Sequence, residues 1–248
     1  MMIAGEAAVF ITLLLVGLYF IRRSILNELA LVHEKKNFSM AVTHELKTPI
    51  ASSKLFIETL INRDLPKEKQ KDILQKVYND QNRLQKLVED ILLVTKVDES
   101  VVKLHLTKVN LKEFVERIVR NMVGENDTSV NIEEDLTVEI DEFYFSSVIQ
   151  NLQSNAVKYS NPDSPIVWEG FKKGFKTIIR IKDNGKGIKD EEKQHVFKLF
   201  YRSGNEETRN TKGTGIGLYL VARIIKLHKG KIKALNNKPK GTIIEIEL

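Results

Sequence analysis

The sequence contains no cysteine, which excludes disulfides, thiolate nucleophiles, iron–sulfur clusters and every cysteine-ligated zinc site, and suits the reducing cytosol. With 13 Gly and 5 Pro in 248 residues it is no collagen-like chain, and 42% hydrophobic with 29% charged residues is the composition of a chain that folds. Neither sign of charge dominates: 39 basic against 33 acidic residues leave +6. That excess suits an anionic ligand or a membrane face without identifying either. The length allows one to two domains with real cores.

One long apolar run is present. Residues 3–21 are apolar apart from Glu6 and a few Thr and Gly, and Arg22-Arg23 follow at once. A helix over that run rises about 28 Å, close to the roughly 30 Å of membrane hydrocarbon. A cleaved signal would carry its positive charge before the apolar stretch, so the expectation is a resident single-pass anchor rather than a signal peptide. By the positive-inside tendency the arginines and everything after them lie in the cytoplasm, only residues 1–6 lie outside, and no external sensor domain is expected. A buried soluble helix is the alternative.

Glycine is absent from residues 24–97, and two long periodic stretches flank Asn62-Arg63-Asp64-Leu65-Pro66, a set suited to a short turn. Val42, Leu46, Pro49, Ser53, Phe56 and Leu60 in the first stretch alternate steps of four and three. Ile73, Val77, Asp80, Leu84, Leu87, Ile91 and Val94 repeat them in the second. Two helices in a hairpin leave much apolar surface uncovered, so the expectation is a homodimer closed as a four-helix bundle. With Val42 and Leu46 in the seam, His44 faces water, and Glu45 and Thr48 lie on neighbouring faces within one turn. Pro49 cannot donate to the carbonyl of Glu45 and is expected to kink or loosen the helix there. A lone exposed His on a helix is ordinarily just solvated, and a zinc-protease reading fails because Thr48 stands where a second His is needed. His33, His105, His195 and His228 form no ligand-like cluster.

From residue 101 the pattern changes. Residues 101–106, 130–133, 137–140, 166–171, 177–182, 231–235 and 242–248 are expected as strands, and 111–123, 142–159 and 216–228 as helices, giving an α/β sandwich joined to the hairpin through residues 98–100. Asn151 and Asn155 are one turn apart with Lys158 three further on. Two amide oxygens and an ammonium on one helix face suit a hard cation shared with phosphates. Asp183-Asn184-Gly185-Lys186-Gly187 closes a strand, where a carboxylate can accept from an exocyclic amine such as that of adenine. Gly213-Thr214-Gly215-Ile216-Gly217-Leu218 leads into a helix whose N-terminal N–H groups favour phosphate. Neither the Walker pattern nor the Rossmann fingerprint is matched. The polar stretch 203–212 has the composition of a mobile lid.

In order along the chain, residues 38–49 with His44-Glu45-Leu46-Lys47-Thr48-Pro49, then 151–159, 183–187, Phe197 to Arg202, and 213–218 resemble the H, N, G1, F and G2 boxes of bacterial sensor histidine kinases. The resemblance covers about residues 24–248. It implies an α+β multidomain architecture: a transmembrane anchor at 1–23, a dimerisation and histidine phosphotransfer hairpin at 24–98, and a catalytic ATP-binding domain at 99–248 of the Bergerat type shared with gyrase and the heat-shock chaperone ATPases. It also implies that His44 is the phosphoacceptor, that Asn151 and Asn155 bind Mg2+, and that Lys158 meets phosphate, Tyr159 the nucleotide and Asp183 the adenine amine. Gly185, Gly187, Gly213, Gly215, Gly217 and Leu218 then shape the ATP pocket, and Arg202 reaches the γ-phosphate. Phe197-Lys198-Leu199-Phe200 carries Lys and Leu where many relatives have Glu and Arg, and Ile216 stands where Leu is frequent.

On this resemblance the protein is expected to be an inner-membrane kinase whose catalytic part is cytoplasmic. It would phosphorylate His44 from Mg-ATP with Glu45 as base, pass the phosphoryl group to an Asp of a response-regulator receiver, and use Glu45 and Thr48 to position water for receiver dephosphorylation. Two other classes are open, a non-catalytic membrane-tethered dimer that binds receivers and a gyrase-like or chaperone-like ATPase. No nucleic-acid partner is expected, because the lysines of 229–240 alternate with apolar strand residues as a solvated face does.

Overall fold

The computed structural model describes residues 2–98, 102–122, 127–201 and 215–248, with the side chains at 2–12, 27, 30, 31, 33–35, 37 and 98 outside that description. Two helices come first: α1, Met2–Asn62, and α2, Lys67–Asp98, joined by residues 63–66 where the turn is expected. The contacts divide the chain into a unit Met1–Ala51 and a unit Ser52–Leu248. In the first unit α1 runs helically through Pro49 rather than ending at it. Among the described residues no helix is long and apolar enough to cross a membrane. The expected span at 3–21 falls in large part on side chains outside the described set.

In the second unit the expected seam of α2 is visible as burial: Ile73, Val77, Asp80, Leu84 and Ile91 are half-buried and Leu87 and Val94 buried. The Lys76 ammonium lies 6.0 Å from the Phe56 ring centroid and links α2 to the end of α1. Leu55, Ile57, Ile61, Leu74, Tyr78, Val88 and Leu92 remain exposed on the two helices.

Downstream come β1 (Thr107–Asn110), α3 (Leu111–Arg120), β2 (Thr128–Ile132), β3 (Thr137–Ile140), α4 (Glu142–Tyr159), β4 (Ile166–Lys173), β5 (Lys176–Lys182), α5 (Gly217–Leu227), β6 (Lys231–Asn236) and β7 (Thr242–Glu247). A five-stranded sheet has the order β2-β4-β5-β7-β6, and β1 and β3 form a separate pair. Among the described residues only the β2–β4 pairing is parallel. The strand expected at 101–106 is displaced. Pairing begins at Thr107 against Ile140, and His105 gives its N–H to the Asp141 carboxylate at 2.8 Å instead of to a ladder.

Alternation explains why the helices cover one face of the sheet. Ile166, Trp168, Ile179, Ile181, Ile244 and Ile246 are buried, as are Phe145, Val148, Ile149 and Leu152 of α4 and Leu220, Val221, Ile224 and Ile225 of α5. On the other face Arg180 and Lys233 converge on Glu245 at 2.6 and 2.8 Å. Burial pushes the Glu245 carboxyl up, but its bonds to Lys233 and Arg180 outweigh that and hold it below its ordinary value. The single Trp is tied in by polar bonds as well. Trp168 Nε1 donates to Gln153 Oε1 at 2.8 Å, and Gln153 Nε2 donates to Thr128 Oγ1 at 2.9 Å, fixing α4 over β4 and β2.

Asp141 starts α4 by accepting from the N–H groups of Phe143 and Tyr144. Its own N–H donates to His228 Nε2 at 3.0 Å, and His228 Nδ1 lies 2.9 Å from the Ile224 carbonyl at the end of α5. Only a neutral ring protonated on Nδ1 satisfies both bonds. Burial, partly countered by the Ile224 carbonyl and the Asp141 carboxylate, holds His228 below the ordinary value of 6.5. A depressed histidine adds stability that is complete above about pH 6.5 and is lost as the pH falls through the folded-state value. Denaturant midpoints of the full chain are therefore expected to drop between pH 7 and 5. In His228→Gln the midpoint is lower at pH 7 but that acid-dependent drop is smaller, whereas an equal slope in both proteins would count against it.

Candidate nucleotide site

Within the second unit a cavity of about 410 Å³ opens between α4, the start of α5 and the sheet, and is closed on one side by α2. Its volume falls in the range of small-molecule sites. Along α4, Asn151, Asn155, Lys158 and Tyr159 line it together with the buried Leu152 and Ala156, while Phe145, Val148 and Ile149 bury against the core away from it. That division follows from the three- and four-residue steps of the helix. Asn151 Nδ2 is tied back to the Ser147 carbonyl at 2.8 Å, which leaves Oδ1 toward Gly217. A Cβ at Gly217 would stand 2.5 Å from that oxygen. A neutral oxygen in a cavity suits a hard cation that keeps water and phosphate ligands. Among the described residues no group of three or more His, Cys, Asp and Glu could hold a metal, so the fit rests on the amide oxygens.

Asp183 follows β5, and its Oδ1 accepts from Gly185 N at 2.9 Å and Thr242 N at 3.1 Å. Burial raises its pKa, and the Gly185 and Thr242 bonds oppose the rise. Gly185 does not line the cavity. Its role is close approach, since a Cβ there would overlap the Tyr159 carbonyl. Gly187 does line the cavity and sits at φ +78, where glycine is favoured. Ile181, Ile188, Val196 and Ile244 supply apolar wall of the kind a planar base needs.

The N-terminus of α5 reaches the same space through Gly215, Gly217 and Leu218. Its N-cap is Ile216, which has no side-chain acceptor to offer, and no side-chain cap bond is made. A helix start that lines a cavity places its positive end where a ligand anion is favoured. Gly215, at φ +70, lies against Phe200, whose N–H donates to the Gly215 carbonyl at 3.0 Å. Arg202, Gly213 and the expected lid at 203–212 lie outside the described residues.

Sequence reasoning missed part of the wall. Thr242 holds Asp183 and lines the cavity, as do Lys186 and Tyr201. From α2 come Arg83, Lys86, Leu87 and Asp90. Asp90 is buried and lies 3.3 Å from Lys86, and burial pushes its carboxyl up against the pull of that ammonium. The available signals were a Gly-Thr pair opening the last strand and the 197–202 motif around Tyr201. The α2 residues carried none, since they occupy ordinary helical positions.

His44, Glu45 and Thr48 belong to the first unit. His44 and Thr48 are exposed, Glu45 half-buried. Thr48 Oγ1 donates to the His44 carbonyl at 3.3 Å.

Residues 34–100 match the family model of the His Kinase A (phospho-acceptor) domain, and residues 140–248 that of the Histidine kinase-, DNA gyrase B-, and HSP90-like ATPase. Among named relatives, the sensor protein RprX of Bacteroides fragilis is 30% identical over 97% of this chain and 48% of its own length. The sensor protein kinase WalK of Staphylococcus saprophyticus is 31% identical over 87% of this chain and 36% of its own. This chain thus spans about half or less of the length of the curated relatives it matches. Among solved structures, the Acinetobacter baumannii histidine kinase AdeS has a similar fold, with a TM-score of 0.67 at 24% identity over 83% of this chain and 96% of that one.

Gly185→Ala is expected to destabilise the protein by roughly 1–3 kcal/mol, because the 183–187 bend must move off the Tyr159 carbonyl. Gly174→Asn, in an open turn at φ +63 with nothing within 4 Å, is expected to cost less than about 1 kcal/mol. Urea unfolding of the two variants checks the contrast, and equal effects would refute the close-approach account.

Proposed function

The chain belongs to the sensor histidine kinase family, and on that premise we propose that it phosphorylates His44 from Mg-ATP and hands the phosphoryl group to an aspartate of a response-regulator receiver. The observation that carries the reading is the pairing, in one chain, of an exposed histidine followed by a glutamate on a helix with a cavity that combines amide oxygens, an ammonium, a buried carboxylate and a helix N-terminus. Asp183 would accept from the adenine amine, with Ile181, Ile188 and Ile244 against the ring. The first-turn N–H groups of α5 and the Lys158 ammonium would hold the phosphates. Asn151 and Asn155 would hold Mg2+ by their amide oxygens, and the chemistry that the ion would supply there is positive charge to offset that of the transferring phosphoryl group.

The imidazole nitrogen of His44 attacks the γ-phosphorus in line. An N–P bond forms as the bond to the β–γ bridging oxygen breaks, ADP departs with that electron pair, and Glu45 takes the ring proton. Because such a transition state is loose, positioning and charge relief supply most of the acceleration. A plain ATPase of the same fold has no use for the displayed His44-Glu45 step.

The same reading divides the chain into an anchor at 1–23, a dimerising hairpin at 24–98 and a catalytic domain at 99–248. The apolar run at 3–21 followed by Arg22-Arg23 supports membrane attachment with the catalytic part on the cytoplasmic side. Exposed Leu55, Ile57, Leu74, Tyr78, Val88 and Leu92 support a homodimer, because they form apolar faces that a second hairpin would cover.

With γ-labelled ATP and Mg2+, His44→Gln is expected to lower acid-labile labelling by at least about 100-fold. Label retained at the wild-type level would remove His44 from the reaction. Thr48→Ala is expected to leave labelling within about twofold but to slow release of phosphate from a phosphorylated receiver by roughly tenfold. Unchanged release would remove Thr48 from that step.

A further inference from the structure

Lys186 projects from the bend that carries Asp183, and it lines the cavity. Its ammonium lies 5.3 Å from the centroid of the Tyr159 ring, and that of Lys158 lies 4.8 Å from the same centroid. Some lysines elsewhere in the domain are matched to carboxylates, Lys112 with Glu134, Lys176 with Glu247, Lys182 with Glu169, Lys193 with Asp190 and Lys233 with Glu245, but those lysines do not line the cavity. Among the described residues neither Lys158 nor Lys186 forms an ion pair. The two carboxylates of the cavity wall are already engaged. Asp183 Oδ1 takes the Gly185 and Thr242 N–H groups, and Asp90 lies beside Lys86.

We propose that Lys186 is a second phosphate-binding cation of the nucleotide cavity, which makes the site select its nucleoside ligand by the number of phosphates. The inference rests on the nucleotide reading above and extends it to a residue that reading does not use. Two ammonium groups held on one ring repel each other, and an anion carrying several charges between them removes that repulsion and meets both. A neutral nucleoside offers neither gain. The root of Lys186 is fixed, because Gly185 N is bonded to Asp183 and Gly187 holds its own turn at φ +78. Less freedom is therefore lost when the side chain engages than for a lysine on a loose loop. The four-carbon stem keeps the charge mobile enough to follow a phosphate rather than to fix one geometry.

The test measures dissociation constants of the full chain for ATP, ADP and adenosine by calorimetry, in wild type, Lys186→Met, Lys186→Arg and Asp183→Asn. Lys186→Met is expected to weaken ATP by roughly five- to twentyfold, ADP less, and adenosine by under about twofold. Lys186→Arg should recover ATP to within about threefold, and the salt dependence of ATP binding should flatten in Lys186→Met. ATP affinity within twofold of wild type in Lys186→Met, or equal losses for ATP and adenosine, would overturn the assignment. Asp183→Asn separates the two levels. If it weakens ATP and adenosine alike while Lys186→Met is silent, only the Lys186 role fails. If it changes neither ligand, or wild type binds no ATP, the nucleotide reading fails and takes the Lys186 role with it.

Discussion

The arrangement of the cavity depends on one close approach, that of the 183–187 bend to the C-terminal end of α4. Gly185 passes so near the Tyr159 carbonyl that no side chain fits between them. The approach puts the buried Asp183 carboxylate and the Asn151–Asn155–Lys158 face of α4 on walls of one cavity. Further bonds hold the bend from other sides. Asn161 Nδ2 donates to the Asn184 carbonyl at 3.0 Å, and Asn237 Nδ2 donates to the Asp183 carbonyl at 2.9 Å and to Asn184 Oδ1 at 3.1 Å. A carboxylate fixed in this way needs little reorganisation when an amine approaches, which is the condition for a short polar contact to contribute net affinity.

That same fixation explains why the wall is built from so few elements. α4 is fastened to the sheet by the Trp168–Gln153–Thr128 chain of bonds and to the end of α5 through Asp141 and His228. Both links are polar and buried or half-buried, so each has a defined geometry that apolar packing alone would not impose. Apolar burial along α4 sets how tightly the helix lies on the sheet, and the two polar links set its rotation. Rotation decides whether Asn151 and Asn155 face the cavity or the core. Fold and site are in this sense specified by the same few bonds.

What the sequence makes legible divides along local and non-local lines. The bounds of α4, the seam residues of α2 and the strands β3 to β7 follow from periodicity and punctuation within short windows, and the structure has them within a residue or two. The α4, 183–187 and 215–218 motifs are legible as cavity-lining runs because each is a run of neighbours in sequence. Residues 101–106 were misplaced because alternation in Val-Val-Lys-Leu-His-Leu is a local signal, whereas a strand needs a partner, and β3 offers only the four residues Thr137–Ile140. Thr242 and Tyr201 each sit beside a signal, the Gly-Thr start of the last strand and the 197–202 motif, but neither signal marks the residue itself as part of the wall. The α2 residues Arg83, Lys86, Leu87 and Asp90 join the site from a helix remote in sequence, and nothing in their own neighbourhoods distinguishes them.

The three helices of the α/β layer differ in one respect that bears on function. Asn110 caps α3 by accepting from Glu113 N, and Asp141 caps α4 by accepting from Phe143 and Tyr144. α5 begins after Ile216 with no side-chain cap. Among the described residues, this is the helix start that lines the cavity, through Gly215, Gly217 and Leu218. A serine or aspartate at that position would bring a side-chain oxygen to the helix start and compete with an incoming phosphate for the N–H groups there. An aspartate would add repulsion as well. An apolar residue there brings no cap oxygen of its own to the cavity, so the positive helix end favours a bound anion without that competitor. The Ile216 side chain is buried in the core instead, so one residue both packs the layer and keeps a capping oxygen away from the cavity.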